Sequence, residues 1–202
     1  PMGGWKRNAA CSSLMAEFWN PATCVFYVLA GLRALRDAQL REAASSCYTL
    51  YAIALIMTGA WSAVFHATLW WWGQKLDEIC ENVTLLALFY LRRERAALLT
   101  LLHSGLAAAG ILLIPQIFAE LHVAATVAGL LHVYYGLAMS HAALQPSVRW
   151  AALLGLLAFG SWLADKAICG PLPRIAQLLQ LHAWWHLLAA LALYQAGHTA
   201  LL

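Results

Sequence analysis

Apolar residues fill most of the chain in long runs separated by short polar stretches. A hydrocarbon core roughly 30 Å thick is crossed by about 20 residues at a helical rise of about 1.5 Å each. Seven stretches approach that length: 18–36, 48–66, 76–92, 97–115, 120–141, 147–165 and 177–197. The pattern predicts an all-α polytopic membrane protein, a seven-transmembrane-helix bundle forming a single domain over residues 1–202. No linker, low-complexity tract or strong repeat divides it. The first run begins too deep, after too much polar sequence, to be expected as a cleaved signal peptide.

Composition points the same way. Of the 202 residues 63% are hydrophobic and 10% charged, and ten are Trp, more apolar surface than a water-soluble globule of this length can hide. The formal net charge of +3 comes without a Lys/Arg run, so no nucleic-acid partner is expected. Oligomeric state is left open. The basic residues serve instead as orientation signals. Arg33, Arg36, Arg41, Arg92, Arg93, Arg95 and Arg149 flank one face, while Lys6, Arg7, Lys75, Lys166 and Arg174 flank the other. The excess on the first face places the C-terminus in the cytoplasm and the N-terminus on the luminal or periplasmic side.

Polar residues within the apolar runs carry the chemistry, because an ionisable group in hydrocarbon is costly and marks a functional site by default. His66 lies about 27 Å along the second run at the helical rise, near the face where the chain starts. The seventh run enters from that face, with His182 and His186 in its first turns, and Asp77 opens the third run there. Four potential site groups thus share one depth. Residues four apart project from one side of a helix, so His182 and His186 can hold one ion, and Ser62 stands one turn from His66. Three imidazoles leave a tetrahedral zinc with an open fourth position, the catalytic arrangement. Water on such an ion can have a pKa near about 7. Asp77 is placed to take its proton and Ser62 to hold an oxyanion or orient substrate, which together read as hydrolysis of an amide or ester.

Plainer readings stand beside these. Paired histidines in an apolar helix can hydrogen-bond a neighbouring helix, and Ser62 can line a helix contact. Asp77 can be a solvated carboxylate at a helix N-terminus, as Glu78 and Glu81 are expected to be, with Glu81 close enough to support Asp77. His103, His122, His132, His141 and His198 lack partners at ligand spacing and are expected to be structural. Asp165 and Lys166 read as a helix-end ion pair at the face of the site, and Trp70, Trp71, Trp72, Trp184 and Trp185 as interface anchors. The five cysteines contain no CxxC pair. Cys24 and Cys80 are expected in packing, and a bridge between Cys11 and Cys169 is open if their common face is oxidising.

The run GAWSAVFHATLWWWGQKLDEI at 59–79 resembles the alkaline ceramidases, whose second and third helices carry an S-x-x-x-H element followed by L-D-E. AEFWNPATCVFYVLAGL at 16–32, SWLADKAIC at 161–169 and LQLHAWWH at 179–186 extend the resemblance over nearly the whole chain. The wider CREST superfamily, including the progestin and adipoQ receptors and a GPI-remodelling hydrolase, shares a similar Ser, Asp and three-His pattern. The resemblance implies that His66, His182 and His186 are Zn2+ ligands, that Asp77 engages the zinc-bound water and that Ser62 lines the site. It also implies a ceramide-like N-acyl sphingoid lipid as substrate. Calcium-regulated members resemble one another in an acidic stretch near the N-terminus. Here GWKRNAACSSLMAEFWN keeps Asn8 and Glu17 but has Lys6 and Arg7 where acids are expected, so no calcium site is expected. The alternative from a different class is a heptahelical lipid-binding receptor-like protein with a structural zinc and little hydrolysis. An ion pathway fits less well, since its polar residues would be spread through the membrane's depth.

Overall fold

The computed structural model describes residues 14–40, 46–91 and 145–201. The expected fourth and fifth runs, the arginines at 92, 93 and 95, and Cys11 lie outside them, as do Lys6, Arg7, Asn8 and His103, His122, His132 and His141. Every element among the described residues is helical: α1 Leu14–Thr23, α2 Val25–Leu40, α3 Ser46–Thr68, α4 Trp71–Leu91, α5 Gln145–Cys169, α6 Pro173–Leu179 and α7 Leu181–Leu201.

Two of the expected runs are broken. The first divides at Cys24 into α1 and α2. Pro21 lies inside α1, where it lacks an N–H and crowds the preceding turn, and beyond it the Tyr27 N–H bonds three residues back to the Cys24 carbonyl at 3.1 Å. The seventh divides at Gln180, whose left-handed backbone (φ 50°, ψ 43°) closes α6 and starts α7. A third tight connection, Leu69 and Trp70, joins α3 to α4, with Leu69 also at positive φ (54°). Gly73 makes that hairpin close: a Cβ there would meet the Phe65 Cα at 3.2 Å.

α3 packs along α2 and α4, and α7 packs along α5 while touching α1, α2 and α4. The interior holds Tyr48, Tyr51, Leu55 and Leu88 together with many alanines, among them Ala34, Ala52, Ala151, Ala190 and Ala196. Small residues let helix backbones approach, the packing mode of helices in lipid. Gly31 and Gly59 show how closely: added Cβ atoms would fall 2.7 Å from the Ala52 carbonyl and 2.8 Å from the Cys24 carbonyl.

Along α3 and α4 large apolar side chains face outward while polar ones are buried, the reverse of a helix in a water-soluble bundle. On α3, Leu50, Ile53, Met57 and Val64 are exposed, whereas Thr58, Ser62 and His66 are buried. On α4, Ile79 and Val83 are exposed over buried Asp77, Glu78, Asn82 and Thr84. Tyr48–Thr68 and Pro146–Cys169 are long and apolar enough to cross a membrane, and the latter is largely uncovered by the rest of the protein.

Cys24 and Cys80 are free thiols, while Cys169 is disulfide-bonded.

Candidate metal centre

Four-residue steps along α3 put Thr58, Ser62 and His66 in one line on the side that meets its neighbours. α4 runs back along that line. Its Thr84 hydroxyl pairs with that of Thr58 at 3.0 Å, and nearer the α3–α4 hairpin the Asp77 carboxyl contacts the Ser62 hydroxyl. Ser62 also contacts the Cys24 thiol. Asp77 is buried, and its Oδ1 has no hydrogen-bond partner. A buried oxygen left unpaired costs about 1–3 kcal/mol, so among the described residues this is an acceptor with capacity for a further partner.

His66 ends the α3 line, and α7 completes the cluster. The break at Gln180 sets His182 in the first turn of α7 and His186 one turn further. The ring centroid of His66 lies 4.9 Å from that of His182 and 4.9 Å from that of His186, with 4.8 Å between the latter two. One ring nitrogen from each falls within 4.8 Å of the others. His66 and His186 are buried and His182 is partly so. Imidazole nitrogens sharing a tetrahedral zinc at about 2.0–2.1 Å stand roughly 3.3 Å apart, a spacing inside the 4.8 Å that bounds the three nitrogens here. Three neutral nitrogen donors with an orphaned carboxylate oxygen on the adjacent helix are a donor set that fits zinc.

The histidines expected to converge do so, and Asp77 and Ser62 lie together on the neighbouring helix pair. Two expectations about acidic residues need correction. Glu78 is not a solvated interfacial group. It is buried, receives Gln74 Nε2 and Lys75 Nζ at 2.6 Å each, and Lys75 is itself buried. Asp165 does not pair with Lys166. Its Oδ2 stands 3.8 Å from His182 Nδ1, while the Lys166 ammonium sits over the Trp162 ring, 4.0 Å from its centroid.

Several neighbours of the histidines went unnoticed in the sequence. Asn20 offers its backbone carbonyl and Thr23 its Oγ1, each 3.2 Å from His186 Nδ1, and the Cys24 sulfur lies at 3.5 Å. Tyr27 meets the His186 ring edge-on at 6.2 Å. The one available signal was Pro21 inside an apolar run, which marks an irregularity in the helix that carries these neighbours. Asp37 was missed too. It joins Arg33 (3.2 Å), the Tyr194 hydroxyl (2.9 Å) and His198 (3.5 Å), tying α2 to α7 further along the bundle.

A model of the family described as Ceramidase matches residues 7–199. The chain belongs to the ceramidase family. It is therefore a member of a family of hydrolases acting on the amide bond of ceramide, and the histidine cluster lies within the matched span. A search of curated proteins finds no match to the chain.

Proposed function

We propose that this ceramidase-family chain is a multi-pass membrane zinc amidase that cleaves ceramide-like N-acyl sphingoid lipids to a fatty acid and a sphingoid base. The observation that carries the reading is the meeting of three imidazole nitrogens, from α3 and α7, within 4.8 Å. His66, His182 and His186 hold the ion. When bound, zinc supplies a Lewis acid that polarises the substrate carbonyl and acidifies water.

Asp77 is the acid/base. Its unpaired Oδ1 accepts a proton from the attacking water and returns it to the departing amine nitrogen. Ser62, held against the Asp77 carboxyl, gives its single hydroxyl proton to that carboxyl in the resting site and turns it to the developing oxyanion once Asp77 has taken up the proton of the water. Burial of Ser62, His66, Asp77 and His186 keeps bulk water from competing for these polar groups, so each interaction is stronger than in water.

The surroundings suit a lipid with two tails. Apolar side chains facing outward and polar ones inward are what hydrocarbon selects, which supports a place in the membrane; the run lengths and the Lys/Arg bias of the sequence are what favour a seven-helix bundle with the N-terminus and the site on the non-cytoplasmic side. Trp70, Trp72 and Trp184 are exposed near the ends of α3, α4 and α7 that carry the cluster, where aromatic rings anchor a protein at the lipid headgroups. Acyl chains lie along the helix walls while the few polar groups of the site read the amide and hydroxyls.

The test is product release by purified full-length protein in mixed micelles, using ceramides, N-acylethanolamines and lysolipids. Equimolar fatty acid and sphingoid base from ceramides alone is the expected result. Zinc-loaded protein that releases nothing from any of them would favour a receptor-like role.

A further inference from the structure

The two histidines of α7 are each approached at Nδ1, by different parts of the fold. Around His186 the three neighbours are all acceptors. The Asn20 carbonyl has no proton to give. The Thr23 hydroxyl donates to a backbone carbonyl, either Trp19 at 2.9 Å or Asn20 at 3.0 Å, and the Cys24 thiol donates to Asn20 at 3.1 Å. With their hydrogens committed, Thr23 and Cys24 present only lone pairs to the ring. The proton of a neutral His186 therefore belongs on Nδ1, where it has acceptors at 3.2 Å, and the Nε2 lone pair is left for the cluster. At His182 the group facing Nδ1 is the Asp165 carboxylate, at an ion-pair distance of 3.8 Å on a partly exposed side chain.

We propose that the Asn20–Cys24 helix break and the Asp165 carboxylate are positioning elements that hold His186 and His182 by Nδ1, so that both rings present Nε2 to one metal ion. The proposal rests on the metal reading above but not on the substrate. At the end of α1 the Asn20 carbonyl accepts the Cys24 N–H at 3.2 Å and also faces His186 Nδ1 at 3.2 Å. The residues involved are positioning rather than catalytic, since none touches substrate or ion.

Two measurements on purified full-length protein in detergent test it. The first is zinc affinity by chelator competition. Thr23→Val and Asp165→Ala should each weaken zinc binding by about 10–100-fold, the usual effect of removing a group that orients a metal-binding histidine. Thr23→Ser should restore it, and the melting temperature of the metal-free protein should stay close to wild type. Unchanged affinity in both variants, or a loss matched by an equal fall in metal-free stability, overturns the proposal. The second is nitrogen-15 NMR of the metal-free protein, which reads ring tautomers without any ion. His186 should carry its proton on Nδ1 in the wild type, with mixed tautomers in Thr23→Val. An Nε2 proton on wild-type His186 overturns the positioning claim even if ceramide is hydrolysed. The expected tautomer and affinity losses in a protein inert toward ceramide leave positioning intact and sink only the substrate assignment.

Discussion

Tyr51 of α3 donates its hydroxyl to the Leu193 carbonyl of α7 at 2.5 Å, and its ring lies directly over Gly197 one turn on. A Cβ at Gly197 would run into that ring. Hydrogen bond and close approach together lock the two helices that carry the histidine cluster. Tyr51→Phe removes the hydroxyl only and should lower stability by about 1 kcal/mol. That corresponds to roughly 2–4 °C in Tm for a chain of this size. Gly197→Ala forces the buried ring to move and should be worse, about 1–3 kcal/mol. Thermal unfolding in detergent checks both, and a Gly197→Ala protein as stable as wild type would mean that the helices are not pressed together there.

The buried Lys75–Glu78 pair makes a prediction of non-additivity. Removing one partner of a buried pair takes away the opposite charge that offsets the other's desolvation and destabilises by about 3–5 kcal/mol, whereas replacing both with apolar residues is often close to neutral. Lys75→Met and Glu78→Leu should each lower stability more than the double substitution does. Denaturation of the three variants reads this directly. Losses that simply add would show that the two groups act independently.

Asp77 and Ser62 should separate kinetically. Asp77→Asn retains the shape of the side chain but not its basicity, so zinc content should persist while kcat falls by about 10²–10⁴-fold. Ser62→Ala should retain zinc and lose less. Full turnover in Asp77→Asn would move the acid/base role elsewhere, and an unaffected Ser62→Ala would leave Ser62 to helix packing.

Much of this site was legible because polar residues in apolar runs are few and their spacing is rigid. Ser62 with His66, and His182 with His186, sit four apart, and helical rise alone brought His66, Asp77 and the α7 pair to one depth. What stayed hidden depended on the third dimension or on backbone geometry. Neighbouring residues on a helix point about 100° apart, so Asp165 and Lys166 lean in different directions; that Asp165 is the one facing His182 Nδ1 was decided by packing. Lys75, Asp77 and Glu78 looked alike as a helix-end polar cluster. The i,i+3 closure of Lys75 on Glu78 buries that pair and leaves Asp77 turned to Ser62. The break at Gln180 had neither Gly nor Pro at the αL position to announce it, although it is what starts α7 just before His182. Pro21 did announce the break at Cys24, but not that the carbonyl of Asn20 would meet His186.

The most direct test of the account is X-ray absorption at the zinc edge of purified wild-type protein, with the metal quantified in the same sample. The predicted result is one zinc per chain, bound by three imidazole nitrogens at about 2.0–2.1 Å. Protein that hydrolyses ceramide without zinc, or zinc bound without three imidazoles around it, would contradict it.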